Sequence, residues 1–139
     1  KLSLAAFSAF LCALSLQAQS VDSSAFPKTD KAQFAEFQNS TAQGLFIEAQ
    51  DAEAKQDFND AADAYSKLSE FATNRKNKAQ ATVSAANNYL KAQQLDMAHN
   101  FYVRALENYA TLVNDKTITF TLFTIADAYA DKVIKHKAA

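Results

Sequence analysis

Residues 79–109 read AQATVSAANNYLKAQQLDMAHNFYVRALENY, and the spacing of the apolar residues in this stretch decides the fold. Val83, Ala86, Tyr89 and Leu90 recur at steps of three and four. Ala98, Phe101, Tyr102, Ala105, Leu106 and Tyr109 do the same. Such spacing places each set on one stripe of a helix. Polar residues fall between them: Asn87, Asn88 and Lys91 in the first segment, His99, Asn100, Arg104, Glu107 and Asn108 in the second. Neither segment contains Gly or Pro. The short link around Gln93-Gln94-Leu95 forces the two helices to lie antiparallel. Ala86 and Ala98 are small, so the backbones approach closely where they meet. One such hairpin cannot close a core, which is the logic of a stacked repeat.

The same register appears upstream at Ala49, Phe58, Ala61, Tyr65 and Leu68, with Ala52 where an aromatic is expected. Downstream, Leu122, Ala126 and Tyr129 repeat the first-helix positions. The small residues Ala49, Ala86 and Ala126 are spaced by 86 − 49 = 37 and 126 − 86 = 40.

This pattern resembles the tetratricopeptide repeat family. That repeat has a small residue, an aromatic three later, an Ala twelve after the small residue, an aromatic four further on, and then Ala-Leu. Ala86, Tyr89, Ala98, Tyr102 and Ala105-Leu106 stand at those positions, with Leu95 at the apolar turn position. Thr82 replaces the opening aromatic and Ala110 the closing Pro. The family repeat is about 34 residues, so both intervals imply lengthened helices or loops. The resemblance covers Thr41 to His136. It implies an all-α fold of antiparallel helical hairpins stacked as a short tetratricopeptide-like solenoid, in units 41–75, 76–114 and a partial 117–137.

The resemblance also implies function. Proteins of this family hold a peptide or protein segment in a groove lined by the first helix of each repeat. Carried onto this chain, the groove positions are Phe46 and Gln50, Val83 and Asn87, Phe123 and Asp127. Gln43, Gln80 and Phe120 lie one turn further back. Amides pair with an extended backbone and aromatics take up side chains. The family's carboxylate-gripping groove needs Lys or Arg at such positions, and here there are none. The alternative is that Phe46, Val83 and Phe123 pack between adjacent first helices.

The rest of the chain sets the frame. Its 139 residues suggest one domain behind a leader. One Gly and one Pro disfavour β-rich folds, which need turn residues. A formal charge of −1 offers no basic field for nucleic acid. Lys1, the apolar run Leu2 to Leu16 and the small residues Ala18 and Ser20 read as a secretory signal peptide over 1–20, cleaved after Ser20 or Ala18. The mature chain would then be periplasmic or secreted, and bacterial, without a stable membrane span. Cys12 lies in that run; Leu11 before it is too bulky for a lipoprotein signal. Without Cys12 the chain has no disulfide and no thiol nucleophile. Residues 21–40 read as a linker and a short helix carrying Phe34 and Phe37, capped at Thr29 or Asp30 and covering the open end of the first repeat. Ser40 with Gln43 suggests a capping box for the next helix.

No catalytic site is recognisable, and no cofactor or metal is expected. His99 and His136 have no ligand partner at suitable spacing. The acidic run Asp51, Glu53, Asp57, Asp60 and Asp63 lacks the Gly and the closing Glu of a calcium loop. Asn74 to Lys78 (NRKNK) reads as a solvated link into the next helix. Thr117 to Ile125 (TITFTLFTI) alternates like a strand but continues at helical spacing into Ala126 and Tyr129, so helix is expected. The leading expectation is an exported, non-catalytic protein-interaction scaffold, with homo-oligomerisation through an uncovered third unit in view. Its rivals are the helical accessory region at the front of a longer envelope enzyme or energy-transducing protein, and a self-associating helical array.

Overall fold

The computed structural model describes residues 33–138, apart from the side chains of His136 and Ala138. The signal region 1–20 with Cys12, and the caps expected at Thr29 or Asp30, lie outside those residues. The described residues are helical, without a strand. Five α-helices follow in order: α1 (Ser40–Ala54), α2 (Phe58–Phe71), α3 (Arg75–Lys91), α4 (Leu95–Tyr109) and α5 (Asp115–Ala138). A 3-10 turn, Ala110–Leu112, precedes α5. Consecutive helices pack against each other along the chain.

The core is built from small residues and tyrosines. Ala49, Ala61, Ala86 and Ala98 are fully buried where paired helices meet, and Tyr65, Leu68, Leu90 and Tyr102 fill the space around them. Alanine has no side-chain entropy to lose and lets backbones approach.

The two complete hairpins repeat in detail. In the first turn, Lys55 N–H donates to the Asp51 carbonyl, Gln56 to Glu53 and Asp57 to Ala52. In the second, Ala92 donates to Asn88, Gln93 to Leu90 and Gln94 to Tyr89. Every residue of the second set stands 37 after its counterpart (92 − 55 = 37). The side chains repeat too: the Gln50 amide donates to the Tyr65 hydroxyl, and the Tyr102 hydroxyl donates to Asn87 Oδ1.

First helices begin at asparagines. Asn39 Oδ1 accepts from Ala42 N–H at 2.7 Å, Asn74 Oδ1 from Lys76 N–H at 2.8 Å, and Asn114 Oδ1 from Thr117 N–H at 3.1 Å. Each satisfies a donor that the first turn leaves open. The cap of α1 is thus Asn39, one residue before the expected Ser40. Polar ties join the first hairpin to the second through Lys78 and close each hairpin across its own open end. Lys78 Nζ donates to the Ser69 and Glu70 carbonyls, Asn39 Nδ2 to the Phe71 carbonyl, and Arg75 to the Asn108 carbonyl.

Two expectations are corrected. Residues 34–37 are irregular, with no helix through Phe34 and Phe37. On α5, Ala126 is exposed and Ile125 is fully buried, so the small residue assigned to the contact is one position out of place. The buried stripe of α5 is Ile118, Thr121, Ile125 and Ala128. Thr121 fits that stripe because its hydroxyl turns back to the Thr117 carbonyl at 2.8 Å, which removes an unpaired donor from the interior.

Candidate functional site

The first-helix face is occupied at its start by the chain itself. The segment Phe34-Ala35-Glu36-Phe37 lies against α1 and reaches the first turn of α3. The Phe34 ring centroid is 4.8 Å from that of Phe46 and 6.4 Å from that of Tyr65, stacked on the latter at 15°. The Phe37 ring is 5.1 Å from Phe46 and 5.9 Å from Phe34. Phe34 and Phe37 therefore pack on the first hairpin at the face that meets α3, where Asn77 lies. Asn77, only 1% exposed, holds the main chain between the two rings. Its Oδ1 accepts from Ala35 N–H at 2.7 Å and its Nδ2 donates to the Ala35 carbonyl at 3.1 Å. The side-chain amide thus does for Ala35 what a neighbouring β-strand does for a residue of an extended chain.

The six expected groove residues fall into three environments. Phe46 is half-buried beneath Phe34 and Phe37. Gln50 and Asn87 are committed to Tyr65 and Tyr102, and Val83 is half-buried against the core. Phe123 and Asp127 are exposed on α5, with Phe123 at 68%. Of the residues one turn back, Gln80 donates to the Leu112 carbonyl at 3.2 Å, and Gln43 lines the cavity beside the segment. Asn77, Phe34 and Phe37 were not among the expected residues. Asn77 sits inside the polar run NRKNK, which reads as solvent-facing, and its partner is 42 residues away.

Polar contacts tie successive hairpins on the same side. Tyr89 on α3 donates to Asp63 Oδ1 on α2 at 2.8 Å, and Tyr129 on α5 donates to Asp96 Oδ1 on α4. Burial first, and then the neighbouring carboxylate, push both phenols up to about 12. Burial alone raises Tyr102 further. Half-buried Glu53 accepts from Tyr65 at 3.2 Å through Oε1 and from Asn88 Nδ2 at 3.0 Å through Oε2. Asn88 also donates to the Ser84 carbonyl at 2.8 Å, and its Oδ1 is buried without a partner.

The other motifs form no reactive constellation. His99 is exposed with Nδ1 3.5 Å from Asn100 Oδ1, and the Asp96 carboxylate that shares its helix face takes the Tyr129 hydroxyl instead. Asp51, Asp57, Asp60 and Asp63 line an open depression with Glu48, Lys55 and Lys67. Among the described residues, no group of three or more His, Cys, Asp or Glu is placed to hold a metal ion, and no helix is long and apolar enough to cross a membrane. Comparison of the chain with protein-family models, curated proteins and solved structures returns no match.

Proposed function

We propose that this chain is an exported, non-catalytic protein-interaction module of tetratricopeptide-like build, which holds an extended protein segment across its first helices. The observation that carries this reading is the Asn77 clasp on Ala35, flanked by rings seated on Phe46 and Tyr65. A main-chain clasp with aromatic seats on either side is a means of gripping an extended peptide. The 37-residue recurrence of turn bonds, buried alanines and tyrosine–amide pairs supports the repeat reading. Phe46, Gln50, Val83, Asn87, Phe123 and Asp127 remain the proposed line of the groove, with its open part toward Phe123 and Asp127.

The test is site-directed photo-crosslinking of the full chain in an envelope extract. A crosslinker at Phe123 or Gln43 would capture a partner that the same group at Lys67, on the second helix α2, does not. Capture from Lys67 alone, or from neither face, would overturn the proposed function as a module for an envelope partner.

A second reading rests on a separate observation. Phe120 and Phe123 are each 68% exposed on α5, and Val133 and Ile134 are exposed further along the same helix. An apolar helix face of this kind suits a self-associating array. Sedimentation velocity of wild type beside a Phe120→Ser/Phe123→Ser variant tests it. A mass that rises with concentration only in the wild type supports the array, and equal monomeric masses remove it.

A further inference from the structure

We infer that Phe34–Phe37 is a built-in ligand that keeps a peptide site shut, and that the site's external partner is an extended segment with two aromatic residues three apart. This inference rests on the reading of the first-helix face as a groove.

Three observations carry it. The clasp is indifferent to sequence at its centre, because Asn77 bonds only the main chain of Ala35. Any residue except Pro at that position offers the same donor and acceptor. Specificity must therefore come from the flanking rings, and both Phe34 and Phe37 seat on Phe46. The polar residues of the segment add nothing comparable: Gln33, Glu36 and Gln38 are exposed. The fit is also incomplete. A cavity of about 350 Å³ opens between Phe34, Ala35, Glu36, Phe37 and the α1 residues Gln43, Phe46 and Ile47. A segment with a larger apolar side chain at the place of Ala35 or Glu36 would fill space that the native occupant leaves.

Geometry makes the occupant both local and removable. Only Gln38 and Asn39 separate Phe37 from the first residue of α1. The segment is thus tethered beside its own site, and a free peptide competes with a high effective concentration. Apparent affinity falls by the fraction of molecules that are open. Removing the tethered rings should therefore reveal binding that the wild type masks.

The probe is a blocked, fluorescent hexapeptide, Gln-Phe-Ala-Glu-Phe-Gln, matching residues 33–38. Anisotropy is read against the full chain and against a Phe34→Ala/Phe37→Ala variant. The variant should bind the peptide at least roughly tenfold more tightly than the wild type, as expected for a site closed in nine molecules of ten. A peptide with both Phe changed to Ala should not bind, and Asn77→Ala placed on the open variant should abolish binding. A folded open variant that ignores the peptide would overturn the inference, as would equal binding by wild type.

Amide exchange in the wild type covers the case in which the open variant fails to fold. A releasable segment lets Ala35 exchange well ahead of Ala81 and Ala85 in α3. Equal protection at all three sites would make the segment an integral part of the fold and overturn the inference. Peptide binding without a crosslinked partner would leave this inference standing and remove the proposed function. A crosslinked partner without peptide binding would do the reverse.

Discussion

Gln56 and Gln93, 93 − 56 = 37 residues apart, adopt the same left-handed backbone, with φ of 63° and 62°. Each closes the turn between two antiparallel helices, and each donates its N–H to the carbonyl three residues back. A left-handed conformation is costly for a residue with a Cβ and free for glycine. Gln56→Gly and Gln93→Gly should therefore each raise stability by about 0.5–1 kcal/mol, the relief of strain exceeding the entropy that glycine adds to the unfolded chain. Gln93→Val should lower it by about 1–2 kcal/mol, because a β-branched side chain fits this region worst. Urea midpoints measure all three. A Gly variant less stable than wild type would count against strain at these turns.

The tyrosine–amide pairs should behave alike in both hairpins. Tyr102→Phe removes one hydroxyl bond, to Asn87, whereas Tyr65→Phe removes the matching bond from Gln50 and a second one to Glu53, at a cost of about 1 kcal/mol per bond. Urea midpoints measure both; a loss at Tyr65 no larger than that at Tyr102 would count against the Glu53 bond, and no loss at either would count against the tyrosine–amide pairs.

Alkaline pH should unfold the protein through its tyrosines. The native pKa of Tyr89 is raised from 10.0 to about 12, first by burial and then by the Asp63 bond. The unfolded state therefore loses its proton first. Below pH 10 the contribution is fully present, and it is lost as pH rises from 10 toward 12. Tyr129 contributes in the same window and Tyr102 in the same direction. Stability measured by urea unfolding from pH 8 to 11 should fall more gently in Tyr89→Phe than in wild type. Parallel curves would show that Tyr89 is not protected.

Asn88 offers a charge test. Its Nδ2 donates to Glu53 while the residue is fully buried. Asn88→Asp deletes that donor and sets a second carboxylate beside the first. The cost at pH 7 should be about 3 kcal/mol or more, and it should shrink at pH 4.5, where one of the pair takes a proton. Thermal melts at the two pH values compare them. A variant equally stable at both would exclude the contact.

The face of α5 is tested by neighbouring residues. Ile125→Ala should cost about 2–4 kcal/mol, whereas Ala126→Glu should stay within about 0.5 kcal/mol. Reversal of that order in urea titration would restore the register read from the sequence.

The hairpins were legible because their signals agree. Ala49, Ala61, Ala86 and Ala98 mark close helix contact, Tyr65 and Tyr102 repeat twelve and more residues on, and all six are buried. The third register was not legible, for a physical reason. In Thr117 to Ile125 threonine alternates with apolar residues, and threonine can enter a buried stripe once its hydroxyl bonds its own helix, as Thr121 does. Both faces of that segment then look equally fit for the interior, and the choice falls to packing on α4. The site was legible only where side chains meet at short range. Phe46 could be placed on the face, but the Asn77–Ala35 pairing spans 42 residues and joins a polar run to an irregular segment. No periodic pattern encodes it.

The equal spacing of the two turns makes chain length a variable separable from fold. A duplicate of residues 55–91 spliced in after Lys91 would begin with the turn sequence of the first hairpin in the place of the second, and would end on a helix that α4 already fits. Each added block would bring its own left-handed turn, its own buried Ala61 and Ala86, and one more length of first-helix face. The molecule could thus be lengthened by whole blocks, with its reach along a bound segment growing in step.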